Sequence, residues 1–414
     1  MTGHTAGEDH AAAALGTLPL PYRRDEACPF DPDPRLRRLQ DEEPISRVRI
    51  NSGDIWLVTR FADGRRVLGD RRFSSQLTPL GIVLPEARDA SLAAELQNQQ
   101  PGTFIECDPP EHTRLRAMVA GEFSPSRMRR LSPRVEAIVD RLLSDMEAAG
   151  PPVDLISAFA LPFPSTVIRE LLGVPDGHGF DFAALTKVMT DVMTPVEDLI
   201  PTRDALRAGM RALVKANRNA PGDNALGRII RAHGPDVTDE ELVGIGNLLL
   251  VAGHETTANM LGIGTLALLR HPEQLRRLRE DPWIVDRAVD ELVRYVSIPN
   301  HGEIRTALQD VRVGGTLIRR GEQVLVALPI ANRDPARFRD PDTLDLTRTP
   351  QAHLAYGYGL HYCVGVPLAR MEMRIAFPAL LRRFPTLRLA VPFDDIAYRR
   401  SNVTYGVHQL PVTW

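Results

Sequence analysis

The chain has 414 residues, of which 43% are hydrophobic and 25% are charged, and its formal net charge at pH 7 is -3. These values are ordinary for a soluble globular protein and allow a substantial core. A net charge so close to zero argues against a general affinity for nucleic acid or an anionic membrane, so any charge-based recognition should be local.

The N-terminal residues 1–17 are small and polar, without the basic and apolar segments of a secretory signal. We expect them to form a disordered tail ahead of a single domain over residues 18–414. The longest apolar stretch, 242–253, is too short to span a bilayer. Cys28, Cys107 and Cys363 are far apart and show no C-x-x-C spacing, so neither disulfides nor a zinc site is expected. This pattern favours a reducing cytoplasm.

Secondary-structure signals change along the chain from strand to helix and back to strand. Residues 45–50 and 54–59 are β-prone and flank Asn51-Ser52-Gly53, which indicates a hairpin. Helices are predicted at 111–120, 135–149, 165–172, 180–193, 203–216, 225–232, 239–269, 283–295 and 366–380. Short β-prone runs return at 311–313, 323–328 and 387–390. The sequence therefore predicts one mainly α domain with small β-sheets.

The predicted helix 239–269 places polar residues in its apolar middle. Burying such groups is costly unless they have partners or a function. Glu255 and Thr256 put an acid next to an alcohol, which suits proton delivery during reduction of O2, while His254 and Thr257 are secondary candidates. A threonine hydroxyl can also take a carbonyl from the helical ladder and open a local groove. The competing interpretation is a polar cluster that only packs helices together.

One cysteine lies in a glycine-punctuated loop, from Tyr356 to Gly365, immediately before an apolar helix. A lone cysteine is most often a small buried hydrophobe. Here, however, Gly357 and Gly359 allow the backbone to fold closely over the sulfur of Cys363, where N–H groups can compensate a thiolate bound to iron.

The cysteine loop and the segment 246–259 resemble the cysteine-ligand loop and the oxygen-binding helix of the cytochrome P450 family, and the order of motifs matches over roughly 18–414. The resemblance implies a single P450 fold, a haem b cofactor (iron protoporphyrin IX), Cys363 as the iron ligand, and a proton relay through Glu255 and Thr256. Tyr356 stands where this family usually has phenylalanine.

The resemblance also assigns residues around the haem. His112 and Arg116 are four apart after a Pro-Pro pair and suit a propionate, as do Arg305 and His361. The residues expected to bind the cofactor are His112, Arg116, Ala252, Gly253, Arg305, Tyr356, Gly357, His361, Cys363 and Gly365. Any one of the cations alone could equally be a solvated charge.

A structural triad is expected from Glu291, Arg294 and Arg348. Glu291 and Arg294 are three apart and share a helical face, which in isolation indicates only a common surface ion pair. In the family that the chain resembles, this E-x-x-R pair is buried and joined by an arginine of the following meander, the position of Arg348.

Substrate contacts are expected from the family topology at Leu249, Ile298, His301, Val403 and Thr404. His301, Glu303 and the amide-rich run 97–100 favour a substrate with hydrogen-bonding groups, such as a peptide-like or polyketide secondary metabolite. The alternative is that these side chains face solvent.

No flavin or iron–sulfur motif is present, so electrons are expected from an external ferredoxin and ferredoxin reductase. Arginines 114, 127, 129 and 130 form a basic cluster that could dock an acidic partner, although such runs are often only solvated. The protein is expected to be a monomer without a membrane or nucleic-acid partner.

Hydroxylation is the expected reaction, and oxidative C–C or C–N coupling on the same fold remains open. A haem gas sensor, a peroxide-driven peroxygenase or an isomerase would not need Glu255 and Thr256. The sequence does not separate hydroxylation from coupling.

Overall fold

A computed structural model of the chain describes residues 18, 20, 22–50, 53–76, 100–175, 182–191, 194–300 and 302–414. The expected tail 1–17, the hairpin turn at 51–52, residues 97–99 of the amide-rich run and His301 lie outside the described residues. The expectations that fall on them therefore stay predictions.

Helices make up most of the described chain. The α-helices are, in chain order, α1 (Pro34–Glu42), α2 (Phe61–Gly69), α3 (Glu111–Ala120), α4 (Pro125–Ala149), α5 (Pro162–Leu172), α6 (Phe182–Thr190), α7 (Val196–Asn219), α8 (Ala225–His233), α9 (Asp239–Arg270), α10 (Pro272–Glu280), α11 (Val285–Val296), α12 (Leu328–Ala331) and α13 (Val366–Arg383). None of them is long and apolar enough to cross a membrane, within the residues described.

The strands are short and lie in small sheets. They are β1 (Ile45–Ile50), β2 (Gly53–Val58), β3 (Phe73–Ser74), β4 (Val153–Asp154), β5 (Glu303–Ala307), β6 (Val311–Val313), β7 (Thr316–Ile318), β8 (Gln323–Val326), β9 (Arg388–Leu389) and β10 (Pro411–Thr413). One sheet has the order β1-β2-β8-β5-β3, a second has the order β4-β10-β9, and β6 pairs with β7. The predicted hairpin is confirmed, because β1 and β2 pair antiparallel from Ile45 opposite Val58 to Ile50 opposite Gly53.

The long helix α9 crosses the core and carries the polar residues singled out from the sequence. It begins with a capping box, in which the Thr238 hydroxyl accepts from the Glu241 amide at 3.2 Å and Glu241 accepts from the Thr238 amide at 2.8 Å. The helix packs against α5, α7, α11 and α13. Burial on many sides holds its middle in place.

Two helices begin earlier than the sequence predicted. The helix expected at 135–149 starts at Pro125 and contains Pro133, and the one expected at 203–216 starts at Val196 and contains Pro201. An internal proline removes a backbone donor and commonly marks a helix boundary, and each predicted start lies just after such a proline. Tertiary packing of the apolar faces overrides that local penalty, and both predicted starts were wrong.

Candidate active site

The cysteine loop is folded tightly against α2. The Cys363 amide donates to the carbonyl oxygen of Tyr356 at 3.0 Å, which closes the loop. Gly357 and Gly359 have φ values of 71° and 73°, in the left-handed region that favours glycine. A Cβ at Gly359 would also collide with the carbonyl oxygen of Leu68. The glycine spacing is therefore required by both conformation and packing.

The Cys363 thiol lies at the start of α13, where free backbone N–H groups are available. Burial among protein atoms raises the pKa of the Cys363 thiol, while hydrogen bonds from the amides of Gly365 and Val366, together with the charge of Arg116, oppose that rise. The residue remains exposed on one side. The site therefore combines an accessible sulfur with donors that stabilise a thiolate, as a metal ligand requires.

Four cationic or potentially cationic side chains gather near this sulfur. His112 and Arg116 come from α3, His361 from the cysteine loop and Arg305 from β5. The His112 and His361 rings are 4.3 Å apart between centroids. Burial, with help from the charges of Arg305, His112 and Arg116, lowers the pKa of His361 to about 3. These four side chains were predicted to bind propionates. They come from three separate segments, and the structure brings them close together.

This cluster fits the two propionates of a haem. His112 is 1% exposed, yet neither of its ring nitrogens has a hydrogen-bond partner within the described part of the chain. Buried polar atoms without partners are rare, and an anionic ligand would satisfy them. Arg116 is held in place by a 2.5 Å bond from Nη2 to the Tyr362 carbonyl oxygen. The donor set of cysteine and surrounding cations therefore matches a thiolate-ligated haem.

On α9, Thr256 bonds back to its own helix, which is continuous from Asp239 to Arg270, so the groove expected there stays a prediction. The Thr256 hydroxyl donates to the carbonyl oxygen of Ala252 at 2.8 Å, and Ala252 is exposed. Gly253 has a different environment from the one inferred, because a Cβ there would lie 2.8 Å from Cδ1 of Ile168 on α5. The missing side chain at Gly253 therefore serves the close packing of two helices.

Glu255 is buried in a network that the sequence did not reveal. Arg399 donates from Nη1 to Oε2 of Glu255 at 2.8 Å, and Asn259 donates from Nδ2 to the same oxygen at 3.0 Å. Neither carboxylate oxygen bonds to Thr256, whose hydroxyl is directed to its own helix. Asn259 could have been found, since it is four residues after Glu255 on one helical face. Arg399 is 144 residues away and gives no local signal.

One of the two secondary candidates on α9, Thr257, contacts a second buried acid. The Thr257 hydroxyl donates to Oε2 of Glu372 on α13 at 3.2 Å. Burial raises the pKa of Glu372 to about 8. His254 is fully buried, burial lowers its pKa, and its ring nitrogens have no partner among the residues described. Thr257 and Glu372 thus link α9 to α13, whereas the charges that act on His254 are those of Glu255 and Arg399.

The predicted triad is assembled as an ion-pair cluster. Arg294 donates to the two carboxylate oxygens of Glu291 at 2.7 and 2.8 Å, and Arg348 donates from Nε to Oε1 of Glu291 at 3.0 Å. Arg294 also donates to the carbonyl oxygens of Asn332 and Pro341, each at 2.9 Å. The guanidinium thus joins α11 to the meander after α12.

Comparison with known proteins identifies the fold. A family model described as "Cytochrome P450" matches residues 283–392. The chain is 42% identical over 399 residues to cytochrome P450-SU2 of Streptomyces griseolus, covering 96% of this chain and 97% of that protein. It is 41% identical over 403 residues to pentalenic acid synthase of Streptomyces avermitilis, covering 96% and 98%. The chain belongs to the cytochrome P450 family.

A solved P450 structure agrees over the whole fold. The crystal structure of CYP105P1 in complex with filipin I has a TM-score of 0.90 and 38% sequence identity, covering 96% of this chain and 98% of that one. The predicted family and the predicted mainly α fold are confirmed. The protein is a P450 monooxygenase, an oxidoreductase that uses O2.

Tyr356 of this P450 lies in an unusual setting for a phenol. Its ring is 5.6 Å from the guanidinium carbon of Arg370, which itself pairs with Asp290 at 2.8 Å. Burial raises the pKa of Tyr356, and its hydroxyl has no hydrogen-bond partner within the described residues. The ring therefore acts in this position much as a phenylalanine would.

Of the expected substrate residues of this P450, those described lie in two adjoining segments and on α9. The Asn300 amide donates to the carbonyl oxygen of Val403 at 3.0 Å, and the Tyr405 amide donates to that of Ile298 at 2.8 Å. Leu249 and Ile298 are buried, as is Thr404. Glu303, expected to add polarity, pairs with Arg305 at 3.1 Å.

Proposed function

We propose that this P450 binds haem b, with Cys363 as the iron ligand and the propionates held by His112, Arg116, Arg305 and His361. The observation that carries the proposal is the exposed Cys363 thiol, with two backbone donors directed at it, beside two arginines and two histidines. Of these, His112 is buried without a hydrogen-bond partner among the described residues. Tyr356, Gly357 and Gly365 shape the sulfur side of the site, and Ala252 and Gly253 belong to the opposite helix.

When bound, the haem supplies reductive activation of O2 and oxidation of a substrate C–H bond or π-system. The chain's own residues supply the protons and the shape of the site. Glu255 is the acid of the relay and Thr256 the alcohol, whose hydroxyl donates to the Ala252 carbonyl oxygen in the arrangement described. A general acid contributes most when it is positioned before the reaction begins.

The absorption spectrum of the reduced, CO-bound protein tests the haem assignment. A thiolate-ligated haem gives a red-shifted Soret band, and Cys363→Ala is expected to abolish it. Cys28→Ala is a matched control, since Cys28 is a half-buried free cysteine elsewhere in the chain. A histidine-type band in the unmodified protein, or a red-shifted band that survives in Cys363→Ala, would overturn the proposal.

The substrate is proposed to be a secondary metabolite with hydrogen-bonding groups, peptide-like or polyketide in type. Asn300 is fully buried next to the segment 403–405, and neither polar atom of its side chain has a partner among the described residues. The Oδ1 atom of Asn402 is also unpartnered. Buried amides of this kind favour a ligand that can hydrogen-bond.

Spectral titration tests this substrate class. Peptide-like and polyketide compounds are expected to perturb the haem band, with weaker binding in Asn300→Ala. If plain hydrocarbons alone perturb the band, the polar-substrate proposal fails while the haem assignment stands.

Hydroxylation is the proposed outcome, with oxidative C–C or C–N coupling as the second candidate. The Glu255 and Thr256 pair favours an outcome in which protons are delivered to reduced oxygen. Mass spectrometry of the product separates the two, because hydroxylation adds one oxygen atom and coupling removes hydrogen and joins two units.

Electrons are proposed to come from an acidic ferredoxin that docks in a groove beside the cysteine loop. The lining residues are Ala62, Arg65, Arg66, Gly69, Asp70, Arg71 and Tyr358. The guanidinium carbon of Arg65 is 4.9 Å from the Tyr358 ring. In contrast, two arginines of the cluster proposed from the sequence are already paired, Arg114 with Glu241 and Arg127 with Glu122 at 3.7 Å.

Charge reversal distinguishes the two surfaces. The Arg65→Glu/Arg66→Glu variant is expected to slow reduction by ferredoxin at low salt, and Arg129→Glu/Arg130→Glu serves as the matched control. If the control slows reduction instead, the sequence-derived cluster is the docking site. Unchanged kinetics in both would remove the docking proposal.

The proposed working unit is a monomer in the cytoplasm, with one catalytic domain over residues 18–414. The three described cysteines are unpaired, which supports a reducing compartment. Light scattering of the purified holoenzyme would contradict the monomer if it gave twice the chain mass.

A further inference from the structure

The carboxylate of Glu255 is engaged away from the alcohol with which it is meant to act. It is 3% exposed and its Oε2 atom accepts from both Arg399 and Asn259, while its Oε1 atom is 3.5 Å from Nη2 of Arg399. The Thr256 hydroxyl bonds to the Ala252 carbonyl. A charge-assisted network of this kind keeps an acid in one orientation.

The partners of Glu255 are tied to one largely buried segment, residues 398–407, which we name the C-terminal turn. The Arg399 amide donates to the carbonyl oxygen of Gly406 at 2.9 Å. Asn259 donates from Nδ2 to the Thr404 hydroxyl at 3.0 Å. Gly406 lies so close to Asn259 that a Cβ there would collide with its side-chain oxygen. Arg399 and Asn259 therefore connect Glu255 directly to the C-terminal turn.

The same turn contacts both α6 and the segment that contains Ile298, an expected substrate residue. The Val403 amide donates to the carbonyl oxygen of Thr190, at the end of α6, at 3.2 Å. On its other side, the turn pairs with residues 298–300 through Val403 and Tyr405. The C-terminal turn therefore bridges α6 and residues 298–300, and it carries Val403 and Thr404, which are themselves expected to contact the substrate.

We propose that Arg399 is a positioning residue that couples substrate binding to proton delivery. In the arrangement seen here, Arg399 and Asn259 hold Glu255 away from Thr256. A substrate that displaces Val403 and Thr404 would loosen both contacts and free the carboxylate to turn toward Thr256. The inference rests on the proposed function and adds to it a device that limits oxygen reduction when no substrate is bound.

The contacts around Glu255 single out Arg399 as the residue whose release would free the carboxylate. Among the described residues, Arg399 is the cation that pairs with Glu255, and the pair bridges α9 and the C-terminal turn. The neighbouring Arg400 is exposed and makes no hydrogen bond or ion pair with α9 within the described residues, so it carries the same charge without the coupling. This gives a matched control one residue away.

The test measures oxygen reduction by the substrate-free holoenzyme with NADH, ferredoxin and ferredoxin reductase, in H2O and D2O. Arg399→Gln is expected to raise NADH oxidation several-fold and to reduce the solvent isotope effect, because Glu255 can then deliver protons without substrate. Arg399→Lys should restore most of the wild-type values, and Arg400→Gln should match wild type. Thr404→Val, which removes the hydroxyl that Asn259 contacts, should give a smaller change in the same direction.

Hydrogen exchange of the C-terminal turn provides a readout that does not depend on turnover. Faster exchange of the Val403 and Tyr405 amides is expected in Arg399→Gln but not in Arg400→Gln. Faster exchange with an unchanged isotope effect would mean that Arg399 only supports the turn, and would overturn the coupling. An absent red-shifted CO band in wild type would instead mean that the proposed function fails, whereas an intact band with no kinetic change rejects the coupling alone.

Discussion

Glu291 on α11 and Glu255 on α9 are both buried carboxylates paired with arginine, but they are held in different ways. Glu291 accepts from Arg294, from Arg348 and from the Asp345 amide at 3.1 Å. Glu255 accepts from Arg399 and from a neutral amide of Asn259. The first acid is thus surrounded by two guanidinium groups and a backbone donor, and the second by one guanidinium group.

The arginines differ as well. Arg294 is 2% exposed and donates to backbone carbonyl oxygens on two further segments, so it cannot leave Glu291 without losing several hydrogen bonds. Arg399 is 11% exposed and its other side-chain contact is Oδ1 of Asn259 at 3.3 Å. A buried pair that is fully satisfied fixes structure, while one with a partly exposed partner can be released.

The largest expected effect comes from breaking the fully satisfied cluster. Glu291→Gln removes the charge that balances Arg294 and Arg348, and loss of one partner of a buried pair costs about 3–5 kcal/mol. We expect a much lower unfolding midpoint and little bound haem per chain, measured by denaturant unfolding and haem absorbance. Glu273→Gln, which affects an exposed pair with Arg276, is the control and should change little. If Glu291→Gln and Glu273→Gln unfold at similar denaturant concentrations, the Glu291 cluster does not fix the structure.

A smaller effect on stability is expected at Glu372, a third buried acid, which has no arginine partner among the described residues. Its pKa of about 8 lies above the ordinary value of 4.5, so the folded protein retains a proton that the unfolded chain loses. Stability from this group is fully present below about pH 4.5 and is lost as pH rises toward 8, with a slope of about 1.4 kcal/mol per pH unit.

Glu372→Gln should flatten this part of the pH profile. The measurement is the urea unfolding midpoint of wild type and variant between pH 5 and 8, an interval chosen to lie inside the titration range. His254 lies on the adjoining helix, and burial lowers its pKa because folding disfavours the charged ring. Its effect on stability therefore falls at the acid end of the pH range. Parallel profiles for the two proteins would show that Glu372 is ionised when folded.

The smallest effect is expected at Tyr356. Because its buried hydroxyl has no partner among the residues described, Tyr356→Phe removes an unsatisfied polar group and should stabilise the protein by about 1 kcal/mol. The haem reduction potential should change little in a redox titration, with Tyr362→Phe as the control. A large shift in potential would mean that the phenol interacts with the thiolate in the holoenzyme.

The sequence predicted the parts of the fold that depend on local patterns. The hairpin of β1 and β2 and the glycine loop at Cys363 both follow from neighbouring residues, and both are found in the structure. The helix starts at Pro125 and Val196 were missed because proline is a local signal and packing is not.

The sequence by itself determined the residue types on which the proposed chemistry rests: a cysteine among glycines, an acid beside an alcohol, and basic side chains at helical spacing. Tertiary structure alone decided how those groups are held. The contact of Arg399 with Glu255 joins residues 144 apart, and that of Thr257 with Glu372 joins residues 115 apart. Such pairs are set by the packing of whole helices and turns, which leaves no periodic trace in the sequence of either partner.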